Sequence, residues 1–358
     1  MPNASAPRNA VLVAPLNWGL GHATRCIPII RALQENNFTP IIASDGAALQ
    51  LLQKEFPKLH CLELPSYQIE YPEDGAKFKW KMVQQLPKIL EALLAEKKQV
   101  KKWVKEYRLC GIIADNRLGV RSKKIPSVFI THQLRVLSGS TTWLSSALHQ
   151  KFMQKFAEIW VPDLAGEWNL SGKMGHLKIP NNNLKYLGPL SRFTPKDYPK
   201  KYDLMVLLSG PDPQRGILEV QLREQLHDYQ GTVLFVSGKI EDEQKKTCIG
   251  NQTNYNFMTC VQLEQAIQES ELVLCRSGYT SIMDLVKLNK KAFFIPTPGQ
   301  FEQEYLAKRL KKQGVFPFAK QNHFKLDNLL EADLYKLPYQ SEITQVNWKN
   351  LLCLFEGE

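Results

Sequence analysis

Residues 17–25, Asn17-Trp18-Gly19-Leu20-Gly21-His22-Ala23-Thr24-Arg25, place two glycines and a histidine between an apolar run and a helical pattern. Backbone N–H groups at such a turn, with a helix N-terminus behind them, suit an anion. Gly19 and Gly21 leave room for close approach. An imidazole at the positive end of a helix is held neutral and can take a proton from a hydroxyl, so His22 is a candidate general base. Asp115, which ends another strand pattern with Asn116 and Arg117, is the competing base or the partner that orients His22. His132-Gln133 ends a further strand pattern. The loop is neither G-x-G-x-x-G nor a P-loop, so a nicotinamide dinucleotide is poorly supported. A purely structural helix cap is the plain alternative for His22.

Three stretches in the second half have the same grammar of strand, small-residue turn and helix. Ser209-Gly210-Pro211-Asp212-Pro213-Gln214-Arg215-Gly216 follows LMVLL and offers Arg215 to a phosphate, although an ordinary turn reads equally well. Cys275-Arg276-Ser277-Gly278-Tyr279-Thr280-Ser281 follows ELVL. Its Arg276, Ser277, Gly278 and Thr280 suit phosphate oxygens, and Asp284 farther along the helix suits the two hydroxyls of a ribose. Pro296-Thr297-Pro298-Gly299-Gln300 follows AFFI and leads to Glu302, Gln303, Glu304 and Tyr305. Gln300, Gln303 and Glu304 have the polarity that sugar hydroxyls require. Solvated carboxylates of a first helical turn are the ordinary alternative.

These turns need a scaffold. Residues 10–16, 38–45, 108–117, 125–133 and 156–163 read as strands, interleaved with helical patterns, which is the alternation of a parallel sheet covered on both faces. An Asn-, Pro- and Lys-rich stretch at 181–201 reads as a linker. A second strand–helix series follows, including 254–261 as a strand, and 348–357 reads as a last helix. The expected division is residues 1–190, a linker at 191–200, residues 201–335, and a C-terminal helical segment 336–358 able to pack back on the first domain. With 358 residues and roughly 150 per domain, two domains are expected. The fold class is α/β, two Rossmann-like domains with a cleft between the carboxyl ends of their sheets.

Composition narrows the partners. Lys and Arg total 46 against 35 Asp and Glu, a formal charge of +11 that favours anionic ligands. The segment 77–108 alone holds ten Lys/Arg against three Glu, with Trp80 and Trp103 interleaved. It reads either as a solvated helix pair or as a surface for an anionic membrane. No aromatic–basic strand motif of the RNA-binding kind is present, so nucleic acid is not an expected partner. The seven cysteines are widely spaced with no C-x-x-C pair, which reads as reduced thiols in a cytoplasmic protein with no zinc site. No apolar run is long enough to span a membrane. The sequons at Asn3 and Asn251 carry little weight without a secretory context.

CRSGYTSIMDL followed by KKAFFIPTPGQFEQEYLA resembles the donor half of the two-domain, GT-B fold glycosyltransferases, of the glycosyltransferase family 28 C-terminal domain type. It is similar in particular to the family of the N-acetylglucosaminyltransferase that completes lipid II, and GLGHATR resembles that family's G-x-G-H acceptor loop. The resemblance implies an inverting transfer from a UDP-sugar to a carbohydrate or lipid-linked hydroxyl, with no chelated metal and no cofactor. It implies further that Asp284 stands where the family has a ribose-binding Glu and Gln303 where it holds the donor sugar. Glu304 stands in place of a second Gln, His22 lies near the reacting centre, and Gly210 lies in a diphosphate loop that here is less glycine-rich. A peripheral position on the inner face of a membrane fits a lipid-linked acceptor. A sugar-nucleotide epimerase or hydrolase of the same fold, and a non-catalytic nucleotide-binding protein, stay open as alternatives.

Overall fold

The computed structural model describes residues 9–67, 78–135, 142–177, 183–239, 241–337 and 346–357, with the backbone alone at 78–87, 142–145, 147 and 148. Asn3, Lys77 and the side chain of Trp80 therefore lie outside the described residues. The chain divides into two compact units, residues 1–192 with 344–358 and residues 193–343.

In the first unit, β1 (Ala10–Pro15), β2 (Thr39–Ser44), β3 (His60–Glu63), β4 (Leu109–Asp115), β5 (Ser127–Ile130), β6 (Glu158–Val161) and β7 (Leu184–Tyr186) form one sheet. Its order is β3-β2-β1-β4-β5-β6-β7, with every pairing parallel. β1 is buried at all six residues, which is why it reads as an unbroken apolar run rather than an alternation. The strand order reverses between β1 and β4, where an open α/β sheet leaves a crevice beyond its carboxyl ends. α1 (Leu20–Glu35), α2 (Gly46–Glu55), α3 (Phe78–Glu106) and α4 (Thr142–Met153) connect the strands.

The second unit contains β8 (Tyr202–Leu207), α5 (Gln214–Gln225), β9 (Val233–Val236), β10 (Lys246–Ile249), β11 (Gln252–Tyr255) and α6 (Cys260–Glu269). It continues with β12 (Ser270–Cys275), α7 (Tyr279–Lys287), β13 (Ala292–Phe294) and α8 (Phe301–Lys312). The sheet order is β10-β11-β9-β8-β12-β13, parallel except where the edge strand β10 runs antiparallel to β11. Leu204, Val206, Phe235, Leu274 and Phe293 form part of its buried core.

Several elements differ from the sequence reading. The basic segment is one helix of 29 residues, α3, not a pair. It packs inward through Val100 and Trp103, while Leu90 and Leu94 stay exposed. Residues 184–186, read as linker, pair with β6. Residues 194–200 are tied to α6: the Thr194 N–H donates to Glu264 at 3.1 Å and the Lys196 N–H to Gln268 Oε1 at 2.5 Å. The strand expected over 254–261 ends at Tyr255. Thr259 then caps α6 in a reciprocal bond with Gln262, a T-x-x-Q signal legible in the sequence. The C-terminal α9 (Trp348–Leu352) and the turn after it belong to the first unit. There Phe355 is buried against Gly111, where an added Cβ would lie 2.2 Å from its ring.

Candidate active site

The first unit gathers its polar side chains at the carboxyl ends of the adjacent strands β1, β4, β5 and β6. Gly19, at φ +78°, turns the chain out of β1 into α1, a backbone conformation that favours glycine. His22 then sits in the first turn of α1, with its side chain 14% exposed. Asp115 is the last residue of β4 and is fully buried. The His22 Nδ1 lies 2.9 Å from Asp115 Oδ1. Arg25, one turn along α1, forks onto both oxygens of Asp115 through Nε and Nη2. The same guanidinium donates through Nη1 to His132 Nδ1 at 3.0 Å, and its Nη2 lies 2.8 Å from His22 Nδ1.

This geometry divides the roles. Burial by itself would raise the Asp115 carboxyl, but the Arg25 charge, aided by His22, holds it well below the usual carboxylate range. A buried carboxylate locked in an ion pair cannot reach an acceptor hydroxyl, so Asp115 is placed to orient His22 rather than to act as the base. Asp115 only accepts and Arg25 only donates, so Nδ1 bonds Asp115 when it carries the proton and Arg25 when it does not. The first of these tautomers leaves Nε2 as the acceptor. Burial first, and then Arg25, lower the His22 pKa below its ordinary 6.5. A rate that depends on neutral His22 therefore holds down to pH 6.5 and falls only below it. An acid limb in kcat/KM with its midpoint above 7 would contradict this. Arg25 itself, which from its place one turn past His22 could have been read as reaching an acidic ligand, is 2% exposed and committed to Asp115.

A second buried network supports the same loop. Arg117, fully buried, pairs with Asp45, reaches Glu96 at 2.7 Å and donates to the carbonyl of Pro15 at 2.9 Å. Asp45 in turn accepts from Asn17 Nδ2 at 3.1 Å, and Tyr67 Oη donates to Glu96 at 2.8 Å. Gly46 passes so close to Asn17 that a Cβ would fall 2.4 Å from its Nδ2. A third cluster was not seen in the sequence. Asp163, two residues beyond β6, accepts from the N–H groups of Leu164, Leu170 and Ser171 and lies 3.3 Å from His176 Nε2. The His176 ring stacks on Tyr186, with centroids 4.6 Å apart. The signal available was an acid just past a strand end in WVPD.

In the second unit the three chosen loops leave the carboxyl ends of the neighbouring strands β8, β12 and β13. Gly210 adopts φ +95° in the first. Arg215 pairs with Asp212, and its Nε is buried with no partner among the described residues. Arg276 departs from the sequence reading. It is 1% exposed and donates to the carbonyls of Ile295, Pro296 and Gln214, so it ties the three loops together instead of presenting itself to a ligand. Burial pushes its guanidinium down to about 10. Ser277 is buried and donates to the Gln303 carbonyl at 2.9 Å. Gly278 is the N-cap residue of α7, which places Thr280 in the first turn. Asp284 lies farther along that helix, 8% exposed. Gln303 and Glu304 accept from the N–H groups of Thr297 and Gly299 at 2.8 and 3.1 Å, so each fixes the turn while standing at the loop. Gln300 is the N-cap residue of α8, and its buried Oε1 lacks a partner among the described residues.

Residues 214–345 match the glycosyltransferase family 28 C-terminal domain. An uncharacterized glycosyltransferase of Methanopyrus kandleri is 19% identical over 305 residues, 80% of this chain and 85% of the relative. The UDP-N-acetylglucosamine–N-acetylmuramyl-(pentapeptide) pyrophosphoryl-undecaprenol N-acetylglucosamine transferase of Buchnera aphidicola is 22% identical over 252 residues, 68% of this chain and 67% of the relative. The crystal structure of Acinetobacter baumannii MurG superposes with a TM-score of 0.59 at 14% identity, over 98% of this chain and 99% of that one. That likeness is one of fold, the GT-B fold.

Proposed function

We propose that this chain, a glycosyltransferase of the GT-B type, moves a sugar from a nucleoside diphosphate donor, a UDP-sugar, to an acceptor hydroxyl with inversion at the anomeric carbon. The observation that carries the reading is His22, held by the buried Asp115–Arg25 pair with a lowered pKa. His22 Nε2 takes the proton of the acceptor hydroxyl. The freed oxygen attacks the anomeric carbon as the bond to the diphosphate breaks, and the nucleoside diphosphate leaves with that electron pair. The N–H groups opening α7, the Ser209–Gly210 turn and the orphan Nε of Arg215 are the donors to the growing phosphate charge, with no resident metal or cofactor. Asp284 takes the ribose hydroxyls, and Gln300, Gln303 and Glu304 the donor sugar.

The choice of UDP follows the name of the Buchnera relative. A lipid-linked acceptor at the inner face of a membrane is supported by α3, where exposed Leu90 and Leu94 stand one turn apart beside exposed Lys97, Lys98 and Lys101. No helix among the described residues is long and apolar enough to cross a membrane.

Titration calorimetry with UDP, GDP, TDP and ADP in the absence of divalent metal tests the donor. Saturable binding of UDP above the others is expected. Binding of none of the four overturns the donor site. Asp284→Asn is expected to weaken UDP binding at least tenfold with the thermal unfolding of the free protein unchanged, and undiminished binding removes Asp284 from the site. Steady release of free sugar or of an isomerised nucleotide without any acceptor would favour a hydrolase or epimerase.

A further inference from the structure

The second unit has a basic cavity at the edge of its sheet opposite the donor loops. Lys196, Lys200, Lys290 and Lys291 line a space of about 230 Å3, together with Asp197 and Glu271. Lys200 stands just before β8, Glu271 is the second residue of β12, and Lys290 and Lys291 run into β13. The donor loops leave the other ends of these same strands. A six-residue strand spans about 20 Å, so the two places are distinct.

The four amines are not equivalent. Lys196 pairs with Glu264 at 2.9 Å and Lys291 with Asp333 at 2.6 Å, both through half-exposed side chains that hold their partners weakly. Lys200 donates to the carbonyl of Gln268 at 2.7 Å. Lys290 is only 5% exposed, and the side chain it meets is another amine, Lys200. A buried ammonium is costly unless an anion answers it. Burial, with Lys200 beside it, pushes the Lys290 amine down to about 7, against the opposing pull of Glu271. Four lysines and two carboxylates at the wall leave a formal +2. The space is smaller than the roughly 300 Å3 at which sites for drug-sized ligands begin.

We propose that this cavity binds a small phosphate dianion, inorganic phosphate or the phosphomonoester headgroup of a lipid, between Lys290 and Lys200. The site is independent of the donor site and of the transfer reaction. A dianion there restores the proton that Lys290 lacks above neutrality, so binding at pH 8 takes up a proton, whereas at pH 6 Lys290 is already charged and inorganic phosphate, mostly the monoanion when free, gives up a proton to bind as the dianion.

The test is calorimetric titration of the full chain with inorganic phosphate at pH 6 and pH 8, in pairs of buffers of different ionisation heat. Saturable binding with proton uptake at pH 8 and proton release at pH 6 is expected, and Lys290→Met is expected to weaken it at least tenfold and to abolish the uptake. Methionine fills the same volume without a charge, so the fold should survive; Lys200→Gln carries the same test if it does not. Equal heats with chloride at matched ionic strength, or undiminished phosphate binding in both variants, overturn the proposal. The second result would place the phosphate elsewhere on the chain. Flotation with phosphatidate vesicles separates the sources. Capture that free phosphate competes away assigns the lipid headgroup, and phosphate binding without capture assigns the free ion. Capture that persists in Lys290→Met arises elsewhere and counts against the site.

Discussion

Replacing His22 with glutamine is expected to lower the rate of glycosyl transfer by about 10²- to 10⁴-fold, the range a positioned general base contributes. That is a loss of roughly 3–5 kcal/mol of transition-state stabilisation. Glutamine keeps much of the size and polarity of the ring but cannot take a proton. UDP affinity should not move, because the residues proposed to hold the donor belong to the second unit, residues 193–343. Single-turnover kinetics with a UDP-sugar and calorimetry with UDP, run side by side, separate the two effects. Transfer at the parent rate would remove His22 as the base. Asp115→Asn should share part of the loss and also move the acid limb. It removes the charge that pairs with Arg25 and replaces an acceptor-only carboxylate with an amide that can favour the wrong tautomer.

Arg117→Met carries the largest expected cost to the fold. Arg117 is fully buried, and its removal leaves two carboxylates, Asp45 and Glu96, without their counter-charge. Breaking a buried pair from one side costs about 3–5 kcal/mol. In a unit of this size that is a fall of roughly 6–20 °C in the unfolding midpoint. All seven tryptophans, at 18, 80, 103, 143, 160, 168 and 348, lie in the first unit. Tryptophan fluorescence therefore reports the melting of that unit alone, which avoids treating a two-unit chain as a single transition. Arg117→Lys should recover little, since one ammonium cannot fork between Asp45, Glu96 and the Pro15 carbonyl. A midpoint within 2 °C of the parent would show that water or a rearranged Asn17 loop relieves the buried acids.

The two variants act on one loop from opposite sides. Asn17 is anchored through Asp45 to Arg117, and five residues on, His22 is anchored through Asp115 to Arg25. The glycine turn between these anchors stays short and open, the condition for an acceptor to approach the imidazole. The two buried arginines thus make the turn rigid without occupying it.

The sequence by itself determined everything that depends on neighbours along the chain. Unbroken apolar runs mark strands buried on both faces, the helical spacing after each turn marks the covering layer, and the small residues at strand ends mark where a ligand can approach. The C-R-S-G and P-T-P-G-Q turns are legible for the same local reason, and it is their resemblance to a known family that implies a donor half; even the missed start of α6 was written in Thr259 and Gln262. Tertiary structure alone decided which side chains meet. His22 and Asp115 are 93 residues apart, and they touch because β4 pairs with β1 in register, bringing Asp115 beside Pro15. The same pairing turns Arg25 inward and away from any ligand, and the convergence of three strand ends makes a brace of Arg276. Residues 193–200 look like a linker because they lack periodicity, yet α6 holds them by hydrogen bonds no local pattern encodes. Periodicity and turn chemistry are short-range properties, whereas the partner of a buried charge is set by strand order and register. Those emerge only when the whole sheet closes over its core.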